Sequence, residues 1–84
     1  CQRLAVAAQD GIARAIVPAH TPGDGDLVFG VSTGARPMTS EIALGQIGHA
    51  ASLCLARALA RAVYLATPVS DDLLPCWSTL NATD

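Results

Sequence analysis

Two carboxylates one glycine apart, Asp24-Gly25-Asp26, stand where a helical pattern gives way to a strand pattern. Neighbouring like charges push their pKa values apart, so such a pair can share a proton, hold a cation or orient another group. In extended backbone, residues i and i+2 point the same way, which lets both carboxylates face one target. Asp-Gly is also a common loop dipeptide, and on the tripeptide alone a plain turn is the stronger reading. A calcium loop is a third reading, disfavoured because the required ligand spacing with a late bidentate Glu is missing. His20, four residues upstream, is the right type for a general base. No Cys or Ser stands at a known spacing from it, so it reads first as a structural hydrogen-bond partner.

Cys1 carries a second possible chemistry, since an N-terminal cysteine can use its own α-amino group as base. It enters a helical pattern directly, however, whereas such nucleophiles usually open a strand at a cleft edge. Cys1, Cys54 and Cys76 are odd in number, widely spaced and outside Cys/His ligand spacings. They predict reduced thiols in a cytoplasmic protein, with no structural metal. His49 falls in mid-helix and reads as a packed or half-exposed side chain. Asn81-Ala82-Thr83 matches a glycosylation sequon, which means little without a secretory signal.

The elements around the loop follow from periodicity. Leu4, Ala8, Ile12 and Ala15/Ile16 recur on one face from about Gln2 to Val17, and Pro18 predicts the helix end at Val17. Gly11 weakens this helix unless a neighbour packs closely there. Residues 19–26 are loop, and Leu27 to Thr33 read as a strand covered on both faces, with Gly30 marking close approach of another backbone. Thr39 or Ser40 can cap a second helix, Glu41 to about Ala66, with Glu41 near its positive end. The predicted order is helix, loop, strand, long helix over residues 1–68, then an irregular tail over 69–84. One strand cannot make a sheet, which predicts further strands from chain outside this sequence.

Composition narrows the function classes. The chain has 84 residues, 51% apolar, with net charge −2. It has no basic cluster to neutralise phosphates, so nucleic-acid binding is not expected. Its three aromatic residues (Phe29, Tyr64, Trp77) offer little bulk for a private core. The start on Cys1 and this thin core predict a fragment or processed subunit that buries its faces elsewhere. Ile42 to Ala66 is long enough for a membrane span, but Gln46, His49, Arg57 and Arg61 predict a buried helix and no membrane association.

Leu4 to Ile16, Pro18, His20-Thr21, Asp24-Gly25-Asp26 and Val28 to Gly34 occur together and in order. In that combination they resemble the L-aminopeptidase/D-esterase family, the DmpA or S58 peptidases. That group includes β-peptidyl aminopeptidases and the nylon-oligomer hydrolase. The match covers roughly residues 4–34, and the alanine-rich second helix is similar in kind to the family's last helix. The tail after Pro68 shows no such likeness.

The resemblance implies an α/β fold, an αββα four-layer sandwich of N-terminal-nucleophile type, of which this chain is the C-terminal part of the β subunit. It implies a precursor that cuts itself into α and β subunits, exposing a Ser or Thr nucleophile whose own amine is the base. In the nylon-oligomer branch two aspartates belong to the catalytic constellation, and they carry over to Asp24 and Asp26. This reverses the preference for a plain turn. No cofactor and no metal are implied. The expected partners are the α subunit or missing N-terminal portion, a small peptide or amide substrate, and further αβ units in a homo-oligomer. The nucleophile and oxyanion groups lie outside this sequence, so the chain alone is expected to be inactive. An endo-type 6-aminohexanoate-oligomer hydrolase and an inactive structural homologue are the alternatives.

Overall fold

The computed structural model describes residues 1–82. It contains α1 (Gln2–Ala15), α2 (Glu41–Leu65) and a single turn, α3 (Trp77–Leu80). α1 ends two residues earlier than expected from Pro18, because Ile16 already adopts extended backbone at φ −125° and ψ 124°. Pro18 disfavours the helical region only at Val17. The helix is nevertheless released one step before that, and the Ile16 N–H closes the last turn on the Ile12 carbonyl at 2.8 Å.

α2 begins as the sequence indicates. The Ser40 hydroxyl accepts a hydrogen bond from the Ala43 N–H at 3.1 Å, and Glu41 occupies the first turn. A cap of this kind satisfies one of the orphan donors at the helix start. Ser40→Ala is therefore expected to lower stability by about 1 kcal/mol, measured as a drop in the urea midpoint of the full-length protein.

Small residues set the helix packing. A Cβ on Gly11 would overlap the Ser52 carbonyl oxygen and lie 3.0 Å from the Ala56 nitrogen, and one on Gly48 would lie 3.0 Å from the Ala7 Cβ. Contacts therefore step from Ala7–Gly48 to Gly11–Ser52, four residues along each helix in the same direction. The two helices run parallel.

Parallel neighbours require the connection, residues 16–40, to travel back along α1. That helix is about 21 Å long at 1.5 Å per residue, and residues 27–33 span about 23 Å when extended. The return is visible at Gly30, where a Cβ would run into the carbonyl of Cys1 at the start of α1. The close backbone approach expected at Gly30 is thus present.

The expected strand itself is not. Among the described residues there is no β-ladder, because no second extended segment offers N–H and C=O groups to Leu27–Thr33. The two-residue alternation survives without the ladder. Val28 and Gly30 are half-buried, while Leu27, Phe29 and Val31 are 76, 82 and 80% exposed.

Within the described residues only Gly48 of α2 is buried, so this stretch of chain does not itself cover the helix. α2 meets α1 along a narrow line of small residues and touches α3, and the described chain leaves most of its surface uncovered. By length and composition alone, with mean hydropathy 1.3 over 18 residues, it is apolar enough to cross a membrane. The buried set of the described chain is Ala8, Gly11, Ile12 and Gly48. Its radius of gyration is 16.5 Å, against about 12 Å for a compact domain of this length.

The tail is more ordered than its sequence suggests. The Val69 N–H donates to Asp72 Oδ2 at 2.7 Å, and α3 touches α2. Asn81 bonds through its side chain to the Trp77 carbonyl, whereas Thr83 of the sequon lies outside the described residues.

Candidate active-site loop

The loop after α1 is built by residues suited to each bend. Thr21-Pro22-Gly23-Asp24 has Pro at the second position and Gly at the third, the type II turn pattern. Gly23 has φ 92°, and the Asp24 N–H donates to the Thr21 carbonyl at 2.9 Å. His20 precedes the turn in the left-handed region at φ 58°, a conformation His adopts more readily than most side chains. The Val17–Pro18 peptide is cis.

The two aspartates keep different company. Asp24 Oδ2 accepts the His20 N–H at 3.1 Å, and Asp24 Oδ1 accepts the Asp26 N–H at 3.1 Å. Its carboxylate thus faces back into its own loop, as short acidic side chains do in turns. The Asp26 carboxylate accepts no hydrogen bond among the described residues. Both side chains are exposed, as is His20.

Two grooves flank the line where α1 meets α2. One is apolar, about 360 Å³, lined by Leu4, Ala8, Cys54, Leu55, Val28 and Phe29 among others. It reaches the extended segment two residues beyond Asp26. The other is about 580 Å³ and carries Arg3, Asp10, Glu41 and His49. Sequence reading did not find this polar groove, since its side chains come from two helices whose parallel pairing has no local signature. His49 lines it without a described hydrogen-bond partner.

The other candidates take structural places. Cys1 is the N-cap of α1, and its carbonyl accepts the Ala5 N–H at 3.0 Å. All three cysteines are free thiols, Cys76 being half-buried. Among the described residues no group of three or more His, Cys, Asp or Glu side chains is placed to hold a metal ion.

The sequence pattern of peptidase family S58 matches residues 1–72, from the α1 cap through the aspartate loop and α2 to the turn at Asp72. This chain belongs to peptidase family S58. An uncharacterized aminopeptidase of Mycobacterium tuberculosis (strain ATCC 25618 / H37Rv) is 44% identical, over 83% of this chain and 24% of its own length. An uncharacterized aminopeptidase of Mycobacterium leprae (strain TN) is 47% identical, over 83% of this chain and 22% of its own length. The chain thus spans under a quarter of the length of these relatives. No solved structure matches it. The S58 match takes in every residue of the loop and both long helices, and leaves α3 outside.

Proposed function

We propose that this chain is the C-terminal part of the β subunit of a self-processing S58 aminopeptidase, which hydrolyses peptides or amides with small N-terminal residues. The observation that carries the reading is Asp24-Gly25-Asp26, held in a hydrogen-bonded loop inside the S58 match. Relatives named aminopeptidases support it.

In this reading a Ser or Thr at a newly exposed N-terminus comes from the rest of the protein. Its hydroxyl oxygen attacks the substrate carbonyl while the hydroxyl proton passes to the terminal amine. The C–N bond breaks, the leaving amine takes that proton, and water then hydrolyses the acyl ester. The aspartate loop orients the terminal ammonium, the part a third triad member plays elsewhere.

The same reading covers the exposed apolar surface. Leu27, Phe29 and Val31 on one side of the extended segment, and the apolar groove on the helices, are the faces an αββα sandwich would close with strands from the α subunit or the missing N-terminal portion. It also places α2 inside the protein, since a charge at mid-bilayer costs several kcal/mol and the exposed Arg57 and Arg61 sit on this helix. The free thiols fit a cytoplasmic protein, and αβ units would assemble further into a homo-oligomer.

Expression of the full-length protein tests the proposal. Two bands on a denaturing gel are expected, the smaller beginning with Ser or Thr, together with release of p-nitroaniline from alanine p-nitroanilide. A single uncut band without turnover would instead identify an inactive structural homologue. The paired aspartates favour one second reading, an endo-type hydrolase of 6-aminohexanoate oligomers. Preference for short aminohexanoate oligomers over alanine p-nitroanilide would establish that reading.

A further inference from the structure

We propose that the hook formed by residues 69–80 is one half of a self-pairing interface, docking on the back of α2 in a second copy of this protein. The proposal names the surface behind the homo-oligomer of the reading above. It rests on that part of the reading and not on the aminopeptidase chemistry.

The hook is ordered yet bare. The Asp72 N–H donates to the Val69 carbonyl at 3.3 Å, the Val69 N–H donates to Asp72 Oδ2 at 2.7 Å, and α3 touches α2. Even so, Leu73 and Leu74 are 98 and 79% exposed, and Trp77 and Leu80 are exposed as well. An apolar cluster that its own fold leaves in water marks an interaction surface. The S58 pattern stops at residue 72, so the sandwich common to the family does not account for a cover over these side chains.

The back of α2 supplies the matching surface. At about 100° per residue, Leu53, Arg57, Arg61 and Tyr64 fall within about 40° of Arg57 around the helix, and all four are exposed. Gly48 and Ser52, which meet α1, lie on the opposite side. Neither guanidinium donates a hydrogen bond among the described residues. Two like charges one turn apart repel weakly and are relieved by a pair of carboxylates, which the exposed Asp71 and Asp72 of the hook provide. The chain's one Trp and one Tyr stand on these two surfaces with the arginine pair. Those are the residue types that anchor protein interfaces.

Order along the chain makes the pairing reciprocal. Across a two-fold axis, each residue contacts one that contacts it in return. With two α2 helices antiparallel and the axis near Tyr64, Arg57 and Arg61 precede the axis while Asp71 and Asp72 follow it. Each copy's arginines then face the aspartates of the other. The leucine pair and Trp77 lie against the other copy's stripe of Leu53 and Tyr64.

Light scattering on the full-length protein tests the proposal, and the wild type should hold an even number of copies. Asp71→Arg with Asp72→Arg should halve that mass, as should Arg57→Glu with Arg61→Glu. Self-association should weaken roughly a hundredfold or more in each, because like charges then face one another. Combining all of these substitutions sets opposite charges together again and should restore the wild-type mass. Leu73→Ser with Leu74→Ser should also halve it without lowering the melting temperature. A monomeric wild type, wild-type mass in every variant, or failure of the combined charge swap to reassociate would each overturn the interface. So would unchanged mass with a lowered melting temperature in the leucine variant, since the hook is then covered by the rest of its own polypeptide. Self-cleavage and p-nitroaniline release report separately on the aminopeptidase reading. An active, self-cut protein whose mass ignores these substitutions loses only the interface, whereas an uncut, inactive protein whose mass halves keeps it.

Discussion

Replacing Asp26 by Asn in the full-length protein is expected to lower kcat/KM by about a hundredfold to ten-thousandfold, because the terminal amine that serves as base then loses a carboxylate that orients it. The substitution changes one oxygen for an amide nitrogen and removes the negative charge, with almost no change in volume. It touches no hydrogen bond described in the fold, because the Asp26 carboxylate accepts none and its N–H still donates to Asp24. Structure and stability should therefore be unaffected, which a melting curve checks. Self-cleavage should slow alongside turnover, since both reactions use the same hydroxyl, which belongs to an internal residue before the cut and to the new N-terminus after it. An uncut band that persists in Asp26→Asn, with catalysis near background, is the expected picture. Wild-type processing and turnover in this variant would remove Asp26 from the mechanism.

Sequence pattern made the local signals legible and left the long-range ones hidden. The Ser40 cap, the Glu41 start of α2 and the turn at Pro22-Gly23 each depend on residues within four positions, so residue type alone determines them. The approach at Gly30 was readable for a similar reason, because a missing side chain inside an apolar run has few other causes. The strand was not, since a ladder needs a second extended segment and pattern within one segment cannot supply it. The cover of α2 was not legible either: apolar content says that a face is to be covered, but not by what. The split between Asp24 and Asp26 was invisible because i and i+2 carboxylates look equivalent until the backbone bends. Here Asp24 Oδ1 turns onto the Asp26 N–H, which fixes the first side chain and leaves the second unengaged. The one-turn α3 has too few residues for any period to show.

Gly11→Ala is expected to destabilise the protein although alanine is the better helix former. At an open helical site that exchange gains up to about 1 kcal/mol. At Gly11 the added methyl would meet the Ser52 carbonyl, with the Ala56 nitrogen at 3.0 Å and the Leu55 Cβ at 3.2 Å. Two of these are backbone atoms of α2, which cannot rotate away as the tip of a long side chain can. The helices must then separate along the Ala7–Gly48 and Gly11–Ser52 line, where much of the small buried set of the described chain lies. Overpacking of this kind costs about 1–3 kcal/mol, enough to outweigh the gain in helix propensity. Gly45→Ala is the matched control, because a Cβ there would have nothing within 4 Å. Urea midpoints in the full-length protein should move in opposite directions, down for Gly11→Ala and slightly up for Gly45→Ala. A rise in both would mean that α1 and α2 do not approach at Gly11, and the parallel helix pair that frames the aspartate loop would have to be abandoned.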